Sequence, residues 1–273
     1  MKQTDLKNWE EFEARVAQLA SERAIRECET GNYISEYLFR GQSDSSWRLK
    51  TTLEHYTGKL PTFEEYYRVL SAMKPQVETF TGVSWANVPS LMEYIKELGN
   101  ERLLPPGKFP AYEYFVYLRH HGFPSPLLDW TRSPYVAAYF AFRNVTSTAP
   151  AVSIYAYCEY TVGHKSGSSD KPGIIGLGPY VRSHRRHFQQ QSQYTICTEH
   201  RDGAHAYACH EDAFAGNNED QDELWKFNIP ASEREKVLRR LEQYNINAFS
   251  LFGSEESLME ALTFRGLLYG KRR

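Results

Sequence analysis

The chain has 273 residues, 41% of them hydrophobic, enough to bury one large core or two small ones. A formal net charge of −2 excludes the global basic field that gathers nucleic acid. No apolar run of about 18 residues or more and no export signal are present, so no membrane association and a cytoplasmic location are expected.

Residues 6–27 carry Trp9, Phe12, Val16, Leu19 and Ile25 at helical spacing, and Gly31 ends the run. Residues 37–42 read as a strand, 43–46 as a turn, and 47–53 as a second strand or extended edge. Thr62 and Glu65 form a capping box that leads into a helix through 66–70. Ser90 caps 91–98, Gly99 stops it, and 105–107 is a loop. A helix is predicted over 111–121, a buried strand over 127–130, and a helix over 134–142 with Ser133 at its N-cap and Pro134 at N1.

The second half turns β-rich. Strands are predicted over 151–157, 193–198 and 224–229, with 204–209 pairing to the second. The Gly-rich stretch 163–178 reads as a mobile loop, and 211–223 as an exposed acidic one. Ser232 and Glu235 form a capping box for a helix to about 244, 247–252 a short strand, and Ser254 caps a last helix with Glu255 and Glu256 in its first turn. The expected class is α+β in one domain spanning 1–273, its helices mainly in the N-terminal half and packed on a mixed or antiparallel sheet from the C-terminal half.

The densest stretch runs His120-His121-Gly122-Phe123-Pro124-Ser125-Pro126-Leu127-Leu128-Asp129-Trp130-Thr131-Arg132-Ser133-Pro134. A carboxylate inside an apolar strand must be paired or hydrogen-bonded. The amides of the helix that follows are its nearest donors and also suit an anion. The stretch reads equally as the floor of a ligand pocket or as a polar core junction. Four cysteines, Cys28, Cys158, Cys197 and Cys209, form no CxxC pair and suit no zinc motif, so reduced thiols and no metal are expected.

Phe39-Arg40-Gly41-Gln42 followed by Ser46-Trp47-Arg48-Leu49, the central stretch with Ala138, Phe140 and Ala141, and Arg186, Gln190, Gln191, Tyr194 and Thr195 resemble the three signature blocks of the FRG domain family, at about 37–53, 118–142 and 186–195. Ser192 stands where the family usually has glycine, and Gly253 and Ser257 depart from its last block. Read through this resemblance, the pattern is also similar to that of NAD-dependent ADP-ribosyltransferases: aromatic-Arg-Gly on a first strand, Ser or Thr on a later one, then an A-x-x-F helix.

That likeness implies an NAD pocket. Arg40 would grip a pyrophosphate or ribose, Gly41 would let backbone approach it, and Gln42, Asp129, Thr131, Gln190 and Gln191 would line it. Ser133 and the amides after it would hold an oxygen or anion, and His121 or Tyr139 would meet the nicotinamide. Glu256 is the candidate catalytic acid. A toxin or phage-defence setting with a macromolecular target is implied by the same resemblance.

The residues also permit plainer roles. Arg40 and Asp129 make a structural salt bridge, His120 and His121 interact with a helix end, Trp47 and Trp130 are core, and Glu256 is a first-turn acid. An alternative is a non-catalytic nucleotide or nucleic-acid module using the basic cluster 182–187 and the tail 271–273. A metal hydrolase built on His120, His121 and Asp129 ranks last, because adjacent histidines cannot share a helix face.

Overall fold

Asn8 opens the first helix by accepting a hydrogen bond from Glu11 N at 2.9 Å, and Gly31 closes it in the left-handed region at φ 66°. The result is α1, Trp9–Thr30, one unbroken helix that buries Trp9, Phe12 and Leu19. The computed structural model describes residues 1–98, 109–146, 148–163, 165, 171–178, 181, 185–214 and 222–268. Gly99, the loop 105–107, residues 182–184 and the tail 271–273 lie outside them.

Eight strands among the described residues form one sheet: β1 Lys2–Asp5, β2 Leu38–Gln42, β3 Leu128–Thr131, β4 Ala151–Cys158, β5 Gly173–Gly176, β6 Ser192–Arg201, β7 Ala204–Tyr207 and β8 Glu223–Pro230. Their order is β1-β8-β4-β2-β3-β6-β5, with β7 paired to β6. β1 and β8 run parallel and the other pairs antiparallel, so the sheet is mixed. The remaining helices are α2 Thr52–Tyr56, α3 Phe63–Thr81, α4 Leu91–Leu98, α5 Tyr112–His120, α6 Pro134–Arg143, α7 Arg185–Gln189, α8 Arg234–Gln243, α9 Ala248–Phe252 and α10 Glu255–Thr263. The class is α+β, and β1, β2 and β3 add N-terminal segments to the sheet.

Three apolar clusters hold the layers together. Phe12, Phe142, Val237 and Leu241 from the helices meet Ile154 and Phe227 of the sheet. A second cluster joins α3, α4 and α5 to Tyr194 and Ile196, and in it Tyr67 and Tyr94 stack at 3.7 Å and 3°. A third gathers Leu49, Leu128, Trp130, Tyr155, Tyr157 and Cys197.

Five of the expected elements differ in the structure. Residues 47–51 are irregular, and α2 starts at Thr52 because Thr51 and Glu54 form a reciprocal capping box. Asn247 caps α9 where a strand was expected, its side chain accepting from Ser250 N at 3.0 Å. No side-chain cap forms at 232–235, because Ser232 lies inside a 3-10 turn that runs straight into α8 and Glu235 pairs forward with Arg239; Glu233 accepts from Trp9 N at 3.0 Å and tethers α1. The stretch read as a mobile loop contains β5, paired to β6. The acidic stretch is pinned at its described ends: Glu211 accepts from Leu49 N, and Asp222 meets Lys165 at 3.0 Å.

Candidate functional site

β2 and β3 share one register pair, Phe39 with Thr131, whereas β2 matches β4 over five residues. Beyond that pair the two strands part, and the gap is bridged by a side chain: Arg40 Nη1 donates to the Asp129 carbonyl at 2.8 Å. A solvent-reachable cavity of about 780 Å³ lies there, within the range of small-molecule sites. Its lining draws on β2 (Phe39 to Gln42), the segment 43–50, the end of α5 (Arg119, His120), β3 (Asp129 to Thr131), α6 (Ala137, Phe140) and the α7–β6 turn (Gln190, Ser192, Tyr194).

Its floor is a cluster of fixed charges. Arg119 forks onto Asp129, with Nε donating to Oδ1 at 2.6 Å and Nη2 to Oδ2, while Nη1 reaches Thr52 Oγ1 at 2.6 Å. Arg40 Nη1 stands 3.9 Å from Asp129 Oδ2, so Arg119 holds the carboxylate and Arg40 its carbonyl. Burial alone would raise the Asp129 carboxyl. Arg119, by charge and hydrogen bonds, and then Arg40 outweigh it and hold Asp129 below the usual carboxylate range.

Arg40 has the opposite problem. Burial pulls its guanidinium below the ordinary value, the Asp129 charge only partly offsets that, and the Arg119 charge adds to the loss. Arginine does not deprotonate here, so the cluster carries positive charge that lacks a counter-ion. The lining as a whole sets Arg40, Arg48, Lys50, Arg119 and Arg186 against one carboxylate, Asp129, among the described residues.

Behind this floor, Trp130 Nε1 donates to Thr195 Oγ1 at 2.7 Å, and Thr195 Oγ1 meets His210 Nε2 at 2.9 Å. His210 is fully buried; burial and then the Arg40 charge push its imidazole down to about 3. A histidine that stays neutral when folded and protonates near 6.5 when unfolded loses stability as pH falls through that window. The pH dependence of unfolding free energy, measured by denaturant titration between pH 6 and 4, is therefore expected to flatten in His210→Gln by up to about 1.4 kcal/mol per pH unit. An unchanged slope would show that His210 takes up its proton in the folded state too.

The sequence candidates divide between the cavity and other duties. Arg40, Gly41, Gln42, Asp129, Thr131 and Gln190 line the cavity. Thr131 Oγ1 donates to Gln190 O at 2.7 Å, and Gln190 Nε2 to Leu251 O at 3.1 Å, so both lock the wall to α9. Gly41 acts in packing. A Cβ there would stand 2.0 Å from Ala137 O and 2.6 Å from Ala141 N, which shows how closely α6 crosses β2.

Ser133 is committed to capping α6 through Val136 N and lies off the lining, so guanidinium groups and not helix amides face the cavity. Tyr139 is buried with its hydroxyl on Glu260 Oε1 at 3.2 Å. His121 leaves the helix, is exposed, and packs its ring on Tyr117 at 4.4 Å; its neighbour His120 is the one at the cavity, with Nε2 2.9 Å from Tyr194 Oη.

Gln191 is exposed and adopts the left-handed conformation at φ 49°, so that strain falls beside Ser192 and the serine is accommodated. Glu256 is exposed in the first turn of α10 and lies off the lining. No group of three or more metal-ligating side chains occurs among the described residues.

Of the lining residues not read as site residues, two stand out. Arg119 takes the central carboxylate, and the signal for it was the demand of a buried acid for a cation. Trp47, expected in the core, is 48% exposed at the cavity. No helix among the described residues is long and apolar enough to cross a membrane. A family model described as FRG domain matches residues 35–149. No curated protein and no solved structure matches the chain.

Proposed function

We propose, starting from the FRG domain at residues 35–149, that the signature residues build a site for an anionic nucleotide and that the ligand is NAD or a fragment of it. The observation that carries this reading is the guanidinium pair Arg40 and Arg119, two cations set against the single carboxylate Asp129, at the foot of a cavity of about 780 Å³. A pyrophosphate supplies the charge that this pair lacks, and the fork geometry of arginine suits it.

Binding is better supported than turnover. ADP-ribosyl transfer needs a carboxylate beside the nicotinamide ribose. Asp129 is the one carboxylate on the described lining, and both its oxygens accept from Arg119. Transferase chemistry therefore requires Asp129 to exchange partners. A nucleic-acid surface is less well supported, because the cations converge inside one cavity and Arg186 turns into it. A toxin or phage-defence role belongs to this proposal only through the family resemblance.

Calorimetric titration with NAD and ADP-ribose tests the reading. Binding is expected that weakens with salt and falls about 10- to 100-fold in Arg40→Met, the loss typical of a charged hydrogen-bond donor. Failure of both ligands to bind at millimolar concentration, or equal binding by a folded Arg40→Met, overturns it. Nicotinamide release from NAD, lost in Asp129→Asn, would add turnover to binding.

A further inference from the structure

Trp47 stands half exposed on the cavity and makes no ring contact among the described residues, yet its backbone is tightly held. Segment 43–50 forms no strand; one backbone bond, Ser45 N to Ala151 O at 2.9 Å, ties it to β4, and side chains from the sheet face hold the rest. Lys226 Nζ donates to Ser45 O at 2.8 Å and lies 3.5 Å from Trp47 O, and Tyr155 Oη donates to Trp47 O at 3.4 Å. Gln42 Nε2 donates to Arg48 O at 3.2 Å, and Glu211 Oε1 accepts from Leu49 N at 2.6 Å.

Lys226 is the unexpected member of this set. It is 7% exposed in the middle of β8, opposite Tyr155, and makes no ion pair among the described residues. Its ammonium is compensated by the two carbonyls, by the Tyr155 ring at 5.4 Å, and at longer range by the charges of Glu211, Asp44 and Asp5. A buried lysine without a direct ion pair is costly, and so is a large indole left in water. The fold needs neither, since an apolar side chain at 226 would suit the strand and a polar one at 47 the surface. Both costs have one explanation if the lysine fixes the backbone that presents the indole.

We propose that Trp47 is the plate on which the ring of the ligand's base stacks, and that Lys226 is the positioning residue that holds this plate at the mouth of the cavity. The inference deepens the nucleotide reading and rests on it: Arg40 and Arg119 take the phosphates, and Trp47 takes the planar base. A purine gives the larger stacking face, so adenine is the committed group.

The test compares AMP with ribose 5-phosphate, which carries the same phosphoryl sugar without a base. In the unmodified protein AMP is expected to bind at least about tenfold more tightly than ribose 5-phosphate and to quench tryptophan fluorescence. In Trp47→Leu the two affinities should converge and the AMP-induced quench should fall. Lys226→Met should melt at or above the parent temperature while its preference for AMP drops severalfold, a selectivity change that a purely structural lysine does not produce. If both ligands bind through Arg40 but Trp47→Leu keeps the full preference for AMP, the stacking proposal fails and the nucleotide reading stands. If neither binds, both fail.

Discussion

Gly41→Ala is expected to be the most damaging single-methyl change in the chain, removing a large share of its stability at 25 °C. The methyl would sit 2.0 Å from Ala137 O and 2.6 Å from Ala141 N, and both atoms belong to backbone. No rotamer change relieves such a contact; either α6 lifts off β2 or the strand bends. Ala137, Ala138 and Ala141 are each fully buried, so α6 has been brought close by small side chains on its own face as well. Lifting it would open the cluster of Phe12, Phe142, Ile154 and Phe227. Overpacking usually costs about 1–3 kcal/mol; against immobile backbone we expect about 4 kcal/mol or more, a large share of the 5–15 kcal/mol that holds a typical domain. Urea unfolding gives the number, and a loss below about 1 kcal/mol would show that the helix can slide. The glycine of the Phe-Arg-Gly signature thus serves the contact that keeps Arg40 in place, on the neighbouring position of the same strand.

The residues that spoke most clearly in the sequence were those with local grammar. Ser133-Pro134 announced α6, Thr62 and Glu65 announced α3, and Gly31 ended α1, because caps act within four residues of themselves. Where two local signals competed, the weaker pattern was the one noticed: alternation at 47–53 hid the Thr51–Glu54 box, and the apolar run at 247–252 hid the Asn247 cap. The site itself was legible as three convergent blocks, and its wiring was not. Arg119 lies ten residues from Asp129 in the chain, and only the turn 121–127 decides that they face each other. Tyr139 could have been set aside on helical geometry, since Ala137 and Phe140 are three apart and share the cavity face while Tyr139 points away to Glu260. The burial of Lys226 and the exposure of Trp47 carry no sequence signal, because each depends on segments far apart in the chain, as in the Lys226–Ser45 contact.

Arg119→Met is the second large effect, and it separates charge from packing. Asp129 would then face one cation, Arg40, at 3.9 Å, and would lose both its forked hydrogen bonds. The Asp129 side chain is 42% exposed at the cavity, so water screens the stranded carboxylate and the cost falls below the roughly 3–5 kcal/mol of a fully buried pair, to about 1–2 kcal/mol. Its pKa should then rise. In the parent protein the carboxyl is held below its unfolded value, so it stabilises the fold above that value and the stability is lost as pH falls through the depressed one. In Arg119→Met that acid limb should disappear or reverse, with the variant gaining on the parent as pH drops from 6 to 3. The double variant Arg119→Met with Asp129→Leu removes both charges and should recover much of the loss near neutral pH. It should not recover ligand binding, because the anion site keeps Arg40 but loses its second guanidinium. If the single and double variants unfold at the same urea concentration, the cost comes from lost packing of the Arg119 stem and not from a stranded charge. If the double variant also binds NAD normally, the floor of the cavity is scaffold and the ligand must be gripped by Arg48, Lys50 and Arg186 at its rim.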